Sequence, residues 1–149
     1  MSFRDLRLES SIVVPHRLED VWDFLSDPMN SNKWDKSVAS IEATSGDPVG
    51  IGWRGTTTAP SGARQEFRID LWEPSRRFGF ELLESTMFER ARLRFTLEHE
   101  GSGVRIEHLL ELSVRNVLLV PILRATAKRA LATDLRSLRD RLAVEYPTS

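Results

Sequence analysis

Cysteine is absent from the 149 residues. That removes disulfides, thiol nucleophiles, zinc knuckles and iron–sulfur clusters from consideration. Long apolar runs are also missing. The longest, "VLLVPIL" at 117–123, falls far short of the roughly 20 residues that a membrane-spanning helix needs. Neither sign of charge is in excess, and the formal net charge is -1. Nucleic acid is therefore not an expected partner, because phosphate contacts need clustered Lys and Arg on one face. The opening "MSFRDLRLES" lacks a basic region followed by an apolar run, so no signal peptide is read. The three histidines, His16, His99 and His108, have neither i, i+4 nor H-E-x-x-H spacing, and no metal or other cofactor is expected. G-x-S-x-G is absent, and no serine is set beside a histidine and an acid. These absences leave one domain over 1–149, without repeats or linkers and expected in the cytoplasm.

What is present is mostly strand. Residues 5–14 alternate, with Leu6, Leu8, Ser10, Ile12 and Val14 on one face, and Pro15 stops them. Val21, Trp22, Phe24 and Leu25 then fall on one helical stripe, with Glu19 and Asp20 in the first turn, where the helix dipole favours acids. Asp27-Pro28 ends that helix, and a short second helix is expected around 28–34. Strands with regular turns follow: "KSVASIEATS", a "GDPVG" turn, "IGWRGTTTA", "RQEFRIDLWE", "RFGFELLE", "FERARLRFTLEHE" and "VRIEHLLELSV". Alternation places Phe67, Ile69 and Leu71 on one face of the fourth strand. It places Ala91, Leu93, Phe95 and Leu97 on one face of the sixth. A helix is expected from about 117 to 145, with Leu131, Leu135, Leu138 and Leu142 as its stripe and Pro121 near its start. One apolar sheet face needs a cover, and this helix is the available one.

"IVVPHRLEDVWDFLSDPMNSNKWDKSVASIE", with its Pro15 boundary, "VWDFLSDP" stop and "NKW" before the second strand, resembles the opening of the START-related helix-grip superfamily. The branch it resembles is that of polyketide cyclase/dehydrase and lipid-transfer proteins. "WEPSRRFGFEL" and "ATDLRSLRDRLAVE" extend the resemblance over nearly the whole chain. The implied fold is α+β: a curved antiparallel sheet of about seven strands wrapped around a long C-terminal helix, with two short helices after strand 1. The implied function is binding of a hydrophobic small molecule, such as a lipid or polyketide-like compound, in a cavity between sheet and helix. The alternatives are a cyclase/dehydrase-type enzyme using acid–base residues in that cavity and a protein-interaction module. Monomer and homodimer both stay open.

Within such a cavity, strand parity turns Trp53, Phe67, Ile69, Phe80, Leu93, Phe95, His108 and Leu110 inward, and the last helix contributes Leu118 and Ile122. Trp22 and Trp34 are expected to plug one end of the sheet, with Trp34 also a candidate for the cavity itself. His108 is the one ionisable group among these residues; it is either a satisfied core histidine or the group that orients a ligand or moves a proton. Glu84 and Glu89 share inward parity and flank the "STM" turn, which makes them a candidate carboxylate pair at the cavity mouth. Gly50 to Gly55 match G-x-G-x-x-G, but the stretch leads into β-branched residues rather than a helix, so no dinucleotide site is read. Arg90, Arg92 and Arg94 are expected to pair with Glu81, Glu107 and Glu111 across strands on the solvent face.

Overall fold

In the computed structural model, residues 4–46 and 48–147 are described. The elements run β1 (Asp5–Val14), α1 (Leu18–Leu25), α2 (Ser31–Trp34), β2 (Ser40–Ala43), β3 (Arg54–Thr58), β4 (Arg64–Glu73), β5 (Arg77–Leu83), β6 (Phe88–Glu100), β7 (Gly103–Val114) and α3 (Val120–Glu145). All neighbouring strands pair antiparallel, in the order β1-β7-β6-β5-β4-β3-β2. This is the α+β helix-grip arrangement: one seven-stranded sheet, two short helices after strand 1, and a 26-residue C-terminal helix against its inner face.

α1 buries Val21, Trp22, Phe24 and Leu25. It stops where the Ser26 Oγ donates to the Trp22 carbonyl at 2.6 Å. Asp27 then accepts from the Met29 N–H, and Pro28 opens a short 3-10 turn, where its missing N–H costs nothing. α2 follows directly and carries Trp34 inward. On α3, Leu131, Leu135, Leu138 and Leu142 are buried, as their spacing requires. Leu135, Leu138 and Leu142 join Val14, Phe95, Val104 and Ile106 of the sheet, and Trp22 and Phe24 of α1, in the main core.

β6 from Arg90 onward and β7 keep their alternation, so Ala91, Phe95 and Leu97 are buried, as are Val104, Ile106, His108 and Leu112. β4 does not. A bulge at Asp70 breaks the register between Ile69 and Leu71, and each residue beyond it changes face. Leu71 thus lies with Arg7, Arg94 and Thr96 on the outer surface, contrary to the inward reading, while Trp72 packs edge-on against Trp22 at 5.1 Å. The bulge also redirects the outer ion pairs. Arg94 binds both oxygens of Asp70, at 2.6 and 3.0 Å, and Glu81 pairs with Arg68 rather than with the β6 arginines.

Several boundaries are shorter than the sequence suggests. Only Ser40–Ala43 of "KSVASIEATS" is strand. β3 starts at Arg54 because Gly50–Gly52 form a turn, with Gly52 at φ +86°. The expected turn at 46–50 includes Asp47, which lies outside the described residues. Gly103 answers a different demand: a Cβ there would come within 2.3 Å of the Val14 carbonyl oxygen, so β7 can approach the end of β1 only through glycine.

Candidate functional site

A cavity of about 610 Å³ lies between the inner sheet face, α2 and α3. Its walls are mostly apolar. β4 supplies Phe67 and Ile69, β5 supplies Phe78, Phe80 and Leu82, β6 supplies Leu93 and Phe95, β7 supplies Leu110, and α3 supplies Ala127, Ala130 and Leu131. Aromatic rings organise these walls. Phe95 stacks on Phe78 at 5.2 Å and receives the edge of Trp34 at 6.0 Å. Phe67 and Phe80 meet at 5.3 Å. Trp34 is both core and wall: it is buried in the main cluster and borders the cavity, whereas Trp22 is core alone.

His108 sits on this apolar floor. It pairs with Phe95 in the β6–β7 ladder, and its imidazole lies flat on the Phe95 ring, with centroids 4.1 Å apart at 14°. The side chain is 3% exposed. Neither Nδ1 nor Nε2 has a hydrogen-bond partner. Burial disfavours the cation and lowers its pKa from 6.5 to about 3. At neutral pH the ring is therefore uncharged, with one N–H to give and one lone pair to accept. The expectation of a core histidine satisfied by a neighbour's carbonyl or hydroxyl is not met in the described structure.

Asp134 is the second wall group whose pKa is shifted, and the sequence reading misses it. It projects from α3 between Leu131 and Leu138, at helical spacings of three and four, so it shares their inward direction. Burial, with a smaller push from the Asp35 charge, raises its pKa from 3.8 to about 7, and Lys36 opposes the shift. Near neutrality a substantial fraction of Asp134 is protonated and can donate as well as accept. Among the described residues no three His, Asp or Glu side chains gather where a metal ion could sit.

Other expected site residues lie elsewhere. Trp53 is buried, but it stands behind Phe67, at 5.8 Å, packed with Ile41 and Val49, and is not on the wall. Leu118 and Ile122 are 79% and 62% exposed. Counting back from Leu131 in steps of four and three gives Ala127, Leu123 and Val120 as the inward stripe. Leu123 and Val120 do pack against the Leu6, Ala91, Leu112 and Val114 cluster, which leaves Leu118 and Ile122 on the opposite side. Glu84 borders the cavity. Glu89 falls at a register shift in β6 and pairs with Arg4 at 3.6 Å, so the two acids do not form a pair.

Residues 5–145 match the family profile described as polyketide cyclase / dehydrase and lipid transport. The chain belongs to that family. No curated protein sequence matches it. Solved structures show the same fold at low identity. The aromatase/cyclase Zhui from Streptomyces sp. R1128 superposes with a TM-score of 0.78 at 14% identity, covering 93% of each chain. A START superfamily protein from Mycobacterium smegmatis gives 0.76 at 15%, covering 93% of this chain and 98% of that one. The di-domain ARO/CYC StfQ from the steffimycin biosynthetic pathway gives 0.76 at 12%; this chain is covered over 98% of its length but spans only about half, 53%, of that protein. Within the polyketide cyclase / dehydrase and lipid transport family, this chain therefore presents an apolar cavity with His108 and Asp134 as its two ionisable wall groups of shifted pKa.

Proposed function

We propose that the chain binds a hydrophobic small molecule in this cavity, holding its apolar body against the aromatic walls and an oxygen-bearing group at His108. The observation that carries this reading is the unpartnered imidazole on the floor of an apolar cavity of about 610 Å³. That volume suits a molecule of lipid-fragment or polycyclic size, since ligand cavities run to ~300–1,000 Å³. Leaving buried polar atoms unpaired costs about 1–3 kcal/mol each, and a ligand hydroxyl or carbonyl removes that cost. Burying about 400 Å² of apolar ligand surface at ~25 cal/mol/Å² is worth about 10 kcal/mol. Association costs of at least ~4 kcal/mol leave about 6 kcal/mol, a dissociation constant of tens of micromolar before any hydrogen bond is counted. That strength suits reversible carriage or sequestration.

A second reading is favoured by one observation: His108 and Asp134 share the cavity. A carboxyl titrating near pH 7 is a usable acid or base for a cyclase/dehydrase-type reaction on a bound ketone, and a neutral imidazole can orient that ketone by donating a hydrogen bond. Both readings require the cavity to fill. The variant Ala127→Phe places a ring in it from the α3 side. A neutral fluorescent probe such as Nile red should bind the native protein and lose at least about tenfold in affinity in the variant, as expected when a ligand's space is filled. Equal binding by a folded variant would place the probe, and the function, outside the cavity.

A further inference from the structure

The residues misread as cavity wall form a surface of their own. Leu118 and Ile122 are 79% and 62% exposed, with Val117 at 43% and Met87 at 45% beside them. The Arg115 N–H donates to the Met87 carbonyl at 3.0 Å, tying the start of this segment to the loop that carries Met87. Leu118 and Ile122 are one turn apart, and Arg129 continues the Ile122 stripe seven residues on. From Leu112 to Thr133 the chain holds four cations, Arg115, Arg124, Lys128 and Arg129, and no acid. All four are exposed, and among the described residues none is in an ion pair. A protein of net charge -1 thus concentrates unpaired positive charge in the segment that carries its exposed aliphatic side chains, with Arg129 on the Ile122 face and Lys128 at its flank.

The same segment packs beside the cavity. Leu119, Val120 and Leu123, on its inner side, pack against the same buried cluster as Phe88, Leu82 and Leu110, and those last three border the cavity. Met87 belongs to both the cavity rim and the outer patch.

We propose that the Val117–Arg129 face docks on an anionic lipid bilayer, with Leu118 and Ile122 entering the headgroup boundary and Arg115, Lys128 and Arg129 holding the lipid phosphates. Apolar side chains rimmed by Lys and Arg on a helix are the combination that an anionic interface attracts. A protein partner of matching shape would equally cover the aliphatic residues, but the unpaired cations favour a partner rich in negative charge. Docking here would set the cavity rim against the bilayer. The surface itself does not depend on the proposed cargo.

The test is vesicle flotation with the full chain. Phosphatidylcholine vesicles containing phosphatidylserine should carry the protein, and pure phosphatidylcholine vesicles should carry at least about tenfold less; salt should weaken the binding, since each cation acts within a Debye length. Leu118→Asp with Ile122→Asp should abolish flotation, and both positions are exposed, so thermal unfolding should be unchanged. Lys128→Glu with Arg129→Glu should do the same with the aliphatic residues intact. Equal flotation on both vesicle types, or none on either, would overturn the proposal. So would a native dimer, seen by sedimentation, that Leu118→Asp with Ile122→Asp dissociates, because the face would then bind a second copy. Nile red binding in solution reads the cavity separately, so failure of docking and failure of ligand binding are told apart.

Discussion

At the scale of the residue, two side chains carry opposite consequences of the same burial. His108 is held neutral because its cation would be desolvated, and Asp134 is held towards its acid form for the same reason. For Asp134 the folded pKa, about 7, lies above the ordinary 3.8. The folded state therefore keeps a proton that the unfolded chain releases, and this contribution to stability is complete below about pH 4 and lost as pH rises through 7. Asp134→Asn removes that dependence. We expect the variant to be the more stable above pH 7, by about 1–2 kcal/mol once solvent screening of a partly exposed group is allowed for, with the advantage fading towards pH 4. Chemical denaturation across that range measures it; a constant difference would mean that Asp134 titrates normally. Strand parity alone pointed to His108. Asp134 was legible too, since it lies three residues after Leu131 and four before Leu138, but an acid in "ATDLRSLRD" reads as one more solvated charge.

At the scale of the element, strand parity was reliable only where the backbone ladder runs unbroken. The inner stripe from Ala91 to Leu97 and that from Val104 to Leu112 could both be read from alternation. "FRIDLWE" alternates just as cleanly, yet the bulge at Asp70 exchanges Leu71 and Trp72 between faces. No side-chain pattern announces it, because either residue is apolar enough to be inside. The exchange is measurable. Trp72→Ala removes a ring from the Trp22–Phe78 cluster and should cost about 3–4 kcal/mol. Leu71→Ala, on the outer face, should cost less than about 1 kcal/mol. Comparable losses in urea unfolding would contradict the bulge. The start of α3 illustrates the converse. Its inward phase was recoverable by counting back from Leu131, but the uniformly aliphatic "VLLVPIL" hid the phase, and Leu118 and Ile122 were assigned to the wrong side.

At the scale of the whole molecule, the fold was the most legible part, because order, spacing and breakers all agree on a sheet gripping a long helix. The cavity was not, since its volume is set by how far α3 stands off the sheet and by rings whose packing no pattern of letters specifies. Its presence is what the proposed binding of a small molecule rests on. The most direct measurement is native mass spectrometry of the protein purified from its own host, followed by identification of whatever is released on denaturation. A retained apolar molecule bearing at least one neutral oxygen, lost from Ala127→Phe, is the predicted result. A native protein that carries no such molecule and gains no thermal stability from oxygen-bearing apolar compounds, when ligand saturation should add ~2–3 kcal/mol, would contradict the account.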